Sequence, residues 1–289
     1  MLGLAAGQGA IRIESLLLPA MAVSMTLSTV SITNRDLASL KSTPRPILIS
    51  LLLNYVVMGG IILLMARWLI NDSEIRAGFI IIAAIPPAIT ATAFSYMLRG
   101  NAVFSLIGTT GSYLAALGIT PGMMILLLGT DFINPTRLLL ILVQLIVIPL
   151  AVSRALLYTG LAQNVVKWRD TAINWIFFIG FYIIIGINRQ VFLEQPNVLF
   201  KVVIIALTLT FGLGHTIDFI ARKLKIDQST RISWIIMGTR KNTGLASVIA
   251  LTLLGERATI PVAVLAMFAV LFIIWMGFYF KKEKGQANL

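Results

Sequence analysis

Residues 232–254 form an apolar run long enough to cross a bilayer, yet its centre is polar. The flanks are 232–236 and 245–254. Between them Met237-Gly238-Thr239-Arg240-Lys241-Asn242-Thr243-Gly244 brings two cations, an amide and two glycines to the midpoint. Hydrocarbon cannot solvate such groups, so they must face protein or a water-filled cavity. Long basic side chains near a helix end can snorkel to the interface, but from the midpoint the reach is greatest. Intramembrane charge of this kind is read first as a functional site.

The rest of the chain makes the membrane reading general. Hydrophobic residues make up 58% and charged residues 12%, with a mean hydropathy of +0.94, far from the mix of a soluble domain. The formal charge of +12 argues for no nucleic-acid partner, because the basic residues sit in short connectors between apolar runs, as membrane orientation requires. The absence of cysteine excludes disulfides, thiolate metal sites and a cysteine nucleophile. No basic segment followed by a small-residue cleavage site opens the chain, so no removable signal peptide is expected.

Against a requirement of roughly 20 apolar residues per span, the sequence predicts an all-α integral membrane protein with about nine transmembrane helices. They are expected near 13–32, 46–70, 77–97, 102–128, 134–158, 172–187, 198–221, 232–254 and 259–280. Placing the C-terminus inside puts Arg35, Lys41, Arg45, Arg99, Arg154, Lys167, Arg169, Arg222, Lys223, Lys225 and Arg231 on the cytoplasmic side with the tail lysines. That is about twice the basic content of the opposite connectors, which predicts a multi-pass plasma-membrane protein with its N-terminus outside. Asp131, before Pro135, reads as a turn or cap residue.

A second interruption echoes the first. Pro86-Pro87 falls two to three turns into the third helix, where each proline removes a backbone donor and crowds the preceding turn, leaving either a kinked helix or a broken one whose freed carbonyls and amides line a site. The sequence resumes as Ile89-Thr90-Ala91-Thr92 and stops at Leu98-Arg99-Gly100-Asn101. The eighth helix breaks between Gly238 and Gly244 and stops at Leu254-Gly255-Glu256-Arg257. Five helices apart, the two enter from opposite sides, the pattern of an inverted-repeat transporter with two broken crossing helices. Half-helix N-termini near Ile89 and Asn242 would favour an anion at the midplane.

These motifs resemble the bile acid/sodium symporter family. Asn242-Thr243-Gly244-Leu245-Ala246 is similar to that family's Asn-Ser/Thr-Gly-Leu-Ala at its second crossover helix. Tyr96-Met97-Leu98-Arg99-Gly100-Asn101 resembles its Tyr-Leu-Ala-Arg-Gly-Asn, with further similarity at Met25-Thr26-Leu27 and Leu53-Asn54-Tyr55-Val56-Val57-Met58. The resemblance implies two inverted five-helix repeats, the first helix of the first repeat being absent here. A panel-like domain would comprise 1–45 and 134–195 (helices 1, 5 and 6). A core-like transport domain would comprise 46–133 and 196–289 (helices 2–4 and 7–9). It implies sodium-coupled import of a small organic anion, with no organic cofactor; Na+ is the coupling ion it points to, and H+ is the alternative that a buried lysine leaves open.

The departures from the family pattern are specific. The glutamate of its sodium sites corresponds to Met237, and the glutamine before the crossover asparagine corresponds to Lys241. The second-span glutamine becomes Asn54 and a Ser-Asn pair becomes Ala91-Thr92, whereas Ser105 and Thr109 match sodium-ligand hydroxyls. Sodium, a hard cation, wants several oxygens and is repelled by an ammonium. The ion site or its replacement is therefore expected at Asn54, Thr92, Ser105, Thr109 and Lys241. Substrate is expected at Thr90, Thr92, Arg240, Lys241, Asn242 and Thr243. Lys241 would either stand in for a sodium ion or hold the anion, and a buried amine also permits proton coupling. A carrier driven by protons or uncoupled, and a membrane enzyme acting on an anionic lipid precursor, are the alternatives.

His215 and Asp218 share a helix face and suggest a proton relay, but Asp218 also lies one turn from Arg222, and this ion pair is the favoured expectation. A single histidine and no nucleophile elbow argue against a hydrolase. Without cysteines or clustered acids, metal transport is disfavoured. The oligomeric state is open.

Overall fold

A computed structural model of the chain describes residues 3, 7–30, 32, 43–129 and 134–287, with side chains described as far as Lys281. Arg35, Lys41 and Asp131 lie outside the described residues. The principal helices are α1 (Leu17–Thr29), α2 (Pro44–Leu69), α3 (Ser73–Ala84), α4 (Ala91–Met97), α5 (Ala102–Leu128), α6 (Pro135–Tyr158), α7 (Ala162–Ile187), α8 (Pro196–Lys223), α9 (Gln228–Thr239), α10 (Thr243–Leu254) and α11 (Ile260–Ala287).

Among the described residues six helical stretches are each long and apolar enough to cross a membrane: α2, α5, α6, α7, α8 and Arg257–Lys281. The third and eighth spans are interrupted as expected, each a pair of short helices, α3 with α4 and α9 with α10. The second break is narrower than the sequence suggested. Gly238 lies inside α9 and Gly244 inside α10, leaving only Arg240, Lys241 and Asn242 outside a helix. A methyl at Gly238 would lie 2.5 Å from Ile217 Cδ1, and one at Gly244 3.0 Å from Met21 Sδ. These glycines admit close neighbours instead of ending helices. Another difference is α7, which begins at Ala162 and carries Lys167, Arg169 and Asp170 on its first turns. That stretch was expected to be connector, but after Gly160 it holds no Gly or Pro to stop a helix.

Short polar residues start the helices. Asp72, Asn101, Asn134, Asp227 and Asn242 each accept a backbone N–H from the first turn of α3, α5, α6, α9 and α10, satisfying donors that have no intrahelical partner. Widened π-turns interrupt α2 at Leu52–Met58, α6 at Val143–Val147 and α8 at Thr208–Gly212. The first contains Asn54, and such turns recur where a helix must aim a side chain inward. In the packing, α1 lies on α6 and α7, whereas α3 lies on α2, α5 and α10.

The Asp218–Arg222 pair forms as expected, at 2.9 Å. Two partners distant in sequence join it: Arg231 Nε lies 2.9 Å from Asp218 Oδ1, and Tyr279 Oη donates to Oδ2 at 2.9 Å. The cluster ties α8, α9 and α11 together. His215 instead accepts from Trp275 Nε1 at 3.2 Å. Asp218 and Arg231 are buried, so Asp218→Ala leaves a buried guanidinium without its carboxylate. It should cost about 3 kcal/mol or more of stability, read as a lower unfolding temperature of the detergent-solubilised protein.

Candidate functional site

The two breaks meet. Residues 86–88 and 240–242 run antiparallel in extended conformation, with a bridge between Pro87 and Lys241. Ala88 N donates to Arg240 O at 3.1 Å, and Asn242 N donates to Pro86 O at 3.0 Å. The prolines make this possible by ending α3. In a continuous helix the carbonyls of Ile82 and Ala83 would be met by the N–H groups of residues 86 and 87, and proline has none.

Lys241 meets one of those freed carbonyls, that of Ala83. Its Nζ donates to Asn54 Oδ1 at 2.7 Å, Ala83 O at 2.9 Å and Ile85 O at 2.9 Å. The ammonium also lies 4.8 Å from the centre of the Tyr55 ring. Lys241 is 3% exposed and Asn54 0%. An ammonium has three N–H donors, and all three are used. Asn54 serves the other interrupted helix in the same way, its Nδ2 lying 3.3 Å from both Met237 O and Arg240 O. Thr120 Oγ1 donates to Ala84 O at 2.8 Å. The carbonyl end of α3 thus meets a buried cation, the sign its dipole favours, while the carbonyl end of α9 meets the Asn54 amide.

Arg240 and Lys241 are neighbours in extended backbone, so their side chains leave on opposite sides. The Arg240 guanidinium stacks over Phe94 at 4.4 Å and donates from Nη1 to Ala269 O at 3.1 Å, facing α4 and α11. Asn242 turns towards α1 and α5. Its Oδ1 accepts from Leu245 N at 3.0 Å, while Nδ2 donates to the Tyr113 hydroxyl and lies 3.4 Å from Met25 Sδ. Thr243 is half-buried one residue on and, with Met21 and Phe177, lines a cavity of about 20 Å³. Thr90 and Thr92 are half-buried at the start of α4.

The hydroxyls expected at an ion site lie behind the crossing. Ser105 Oγ is 2.6 Å from Ser95 Oγ, and Thr109 Oγ1 is buried without a hydrogen-bond partner among the described residues. Met237 is 0% exposed. Its sulfur packs on Gly108, where an added methyl would lie 2.8 Å away. A soft thioether therefore fills the space against Gly108, and no carboxylate reaches the crossing among the described residues. The partners missed in the sequence are Tyr113 and the carbonyls of Ala83 and Ile85. For Ala83 a signal existed, since its helical partner would be Pro87.

Residues 17–195, more than half of the chain, match the sequence pattern of the Sodium Bile acid symporter family. This chain belongs to that family. Over 265 residues it is 23% identical to an uncharacterized sodium-dependent transporter, YocS, of Bacillus subtilis (strain 168), covering 88% of this chain and 80% of that one. It is 22% identical over 267 residues to a probable chloroplastic sodium/metabolite cotransporter, BASS3, of Oryza sativa subsp. japonica. That match covers 90% of this chain and 62% of the rice protein. The family and these relatives are transporters, so the chain is a membrane transport protein and not an enzyme, and sodium is the coupling ion the family suggests.

Proposed function

We propose that the chain is a secondary transporter of a small organic anion in which Lys241 takes the place of one sodium ion. One observation carries this reading: all three donors of the Lys241 ammonium are spent on Asn54, Ala83 and Ile85. An amine saturated by three oxygens in a buried cage does the work of a hard cation there and has no donor left for a substrate. Met237 further weakens sodium binding, because a thioether offers a hard cation neither charge nor oxygen. The substrate's acidic group is then left to Thr90, Thr92, Arg240, Asn242 and Thr243.

In this reading the chain crosses the plasma membrane nine times, N-terminus outside and C-terminus inside. The halves are inverted repeats, and 1–45 with 134–195 form a panel against which 46–133 with 196–289 moves. The antiparallel pairing of the two breaks, each between short helices, supports the inverted arrangement. A cation supplied by the chain itself removes the need for an external one at that site, so transport is either uncoupled or driven by protons that load and leave Lys241. Uptake by proteoliposomes from sodium and from choline medium, each at two pH values, tests this. Equal rates in the two media are expected, and a strict sodium requirement in the wild type overturns it.

A further inference from the structure

A cavity of about 540 Å³ opens at the end of the bundle where α10 stops and α11 begins. Its walls include Leu17 near the start of α1, Arg137 of α6, Leu251 and Thr252 of α10, and two carboxylates, Glu14 and Glu256. The size suits a small metabolite and far exceeds what an inorganic ion needs. Cavities touching Asn242 and Thr243 measure only about 10 and 20 Å³, room for about a single water. The large cavity lies along α10, whose 12 residues span roughly 18 Å back to the crossing.

The chemistry of the walls is of mixed sign and unspent. Among the described residues Glu14, Arg137 and Glu256 form no ion pair with one another or with any other side chain, although all three face one cavity. Burial, and after it the nearby Glu14 carboxylate, raises the Glu256 carboxyl above its usual range. Two like charges held together with no ion-pair partner among the described residues are relieved by a cationic occupant. Arg137 on the same wall disfavours a bare metal ion and offers a fork for a carboxylate.

We propose that this vestibule recognises an amino-bearing organic acid, its ammonium between Glu14 and Glu256 and its carboxylate at Arg137. The inference rests on the transporter reading above and narrows its substrate class from organic anions at large to those that also carry an amine. Because Thr252 and Leu251 belong to α10, an occupant bound here lies against the helix that leads to the crossing.

Matched pairs of probes differing only in the amine test this: glutamate against glutarate, and γ-aminobutyrate against butyrate. Binding is measured by calorimetry on the purified full chain in lipid nanodiscs. The amino-bearing member should bind roughly 10-fold more tightly, the size of one well-placed charge-assisted contact. Glu14→Gln with Glu256→Gln should bring the ratio within each pair close to one, while Arg137→Gln should weaken both members alike. Equal binding within pairs, no binding by either amino-bearing probe, or a preference that survives the double Gln variant overturns the proposal. Counterflow of the probes in proteoliposomes separates the two readings. Binding with amine preference but no counterflow supports the vestibule and sinks the organic-anion transport proposed above. Counterflow indifferent to the amine sinks the vestibule and leaves transport standing.

Discussion

Replacing Lys241 by glutamine should make the protein's stability depend on sodium, whereas the wild type should be indifferent to it. In the wild type the ammonium fills its cage with hydrogen bonds of 2.7 to 2.9 Å. Lys241→Met deletes every donor and strands Asn54 Oδ1, Ala83 O and Ile85 O. Each buried acceptor left unpaired costs about 1–3 kcal/mol, so a loss of at least about 3 kcal/mol is expected. Glutamine supplies one amide and leaves an oxygen-lined gap, a setting suited to a hard cation. An ion that binds only the folded state raises stability with its concentration, by about 2.7 kcal/mol at one hundred times its dissociation constant. Thermal unfolding in sodium and in choline chloride at equal ionic strength is the measurement. The glutamine variant should gain stability with sodium and the wild type should stay flat. A wild type stabilised by sodium as strongly as the variant would falsify the replacement of the ion by Lys241.

A second large effect is expected at Gly78, in the middle of α3. A β-carbon there would meet Ala258 O at 2.1 Å and Pro261 Cγ at 2.8 Å. The obstacle is backbone of the turn just before α11, which cannot rotate away as a side-chain tip can. Overpacking of a tight core costs typically 1–3 kcal/mol even when neighbours can move, so Gly78→Ala should reach at least the upper end, about 3 kcal/mol. Gly78→Leu should yield no monodisperse protein on size-exclusion chromatography in detergent. The same helix ends in the carbonyls that hold Lys241, so Gly78→Ala should also loosen the cage. Normal yield and an unchanged unfolding temperature for Gly78→Ala would show that α3 and α11 do not meet this closely.

Much of the candidate site was legible because its causes are local. Proline has no N–H, so Pro86-Pro87 had to end a helix and free carbonyls near Ala83. Two cations at the midpoint of an apolar run could not face lipid. Asp218 and Arg222 are one turn apart, and their pairing followed from helix geometry alone. The extent of the second break was misread, because glycine in a helix can serve close packing as readily as termination. Gly238 against Ile217 and Gly244 against Met21 are of the first kind.

The sequence by itself determined the helical membrane class, the two interruptions and the presence of uncompensated positive charge within the second of them. Only the tertiary structure decided which of two adjacent cations is caged. Arg240 and Lys241 are indistinguishable by hydropathy. Antiparallel pairing of 240–242 with 86–88 fixes the backbone so that alternate side chains leave on opposite sides, sending Lys241 to Asn54 and Arg240 to Phe94. The approach of Arg231 and Tyr279 to Asp218, and of Glu14, Arg137 and Glu256 to one cavity, likewise joins residues far apart in the chain. Periodicity and propensity act over a few residues, whereas these contacts exist only once whole helices have packed.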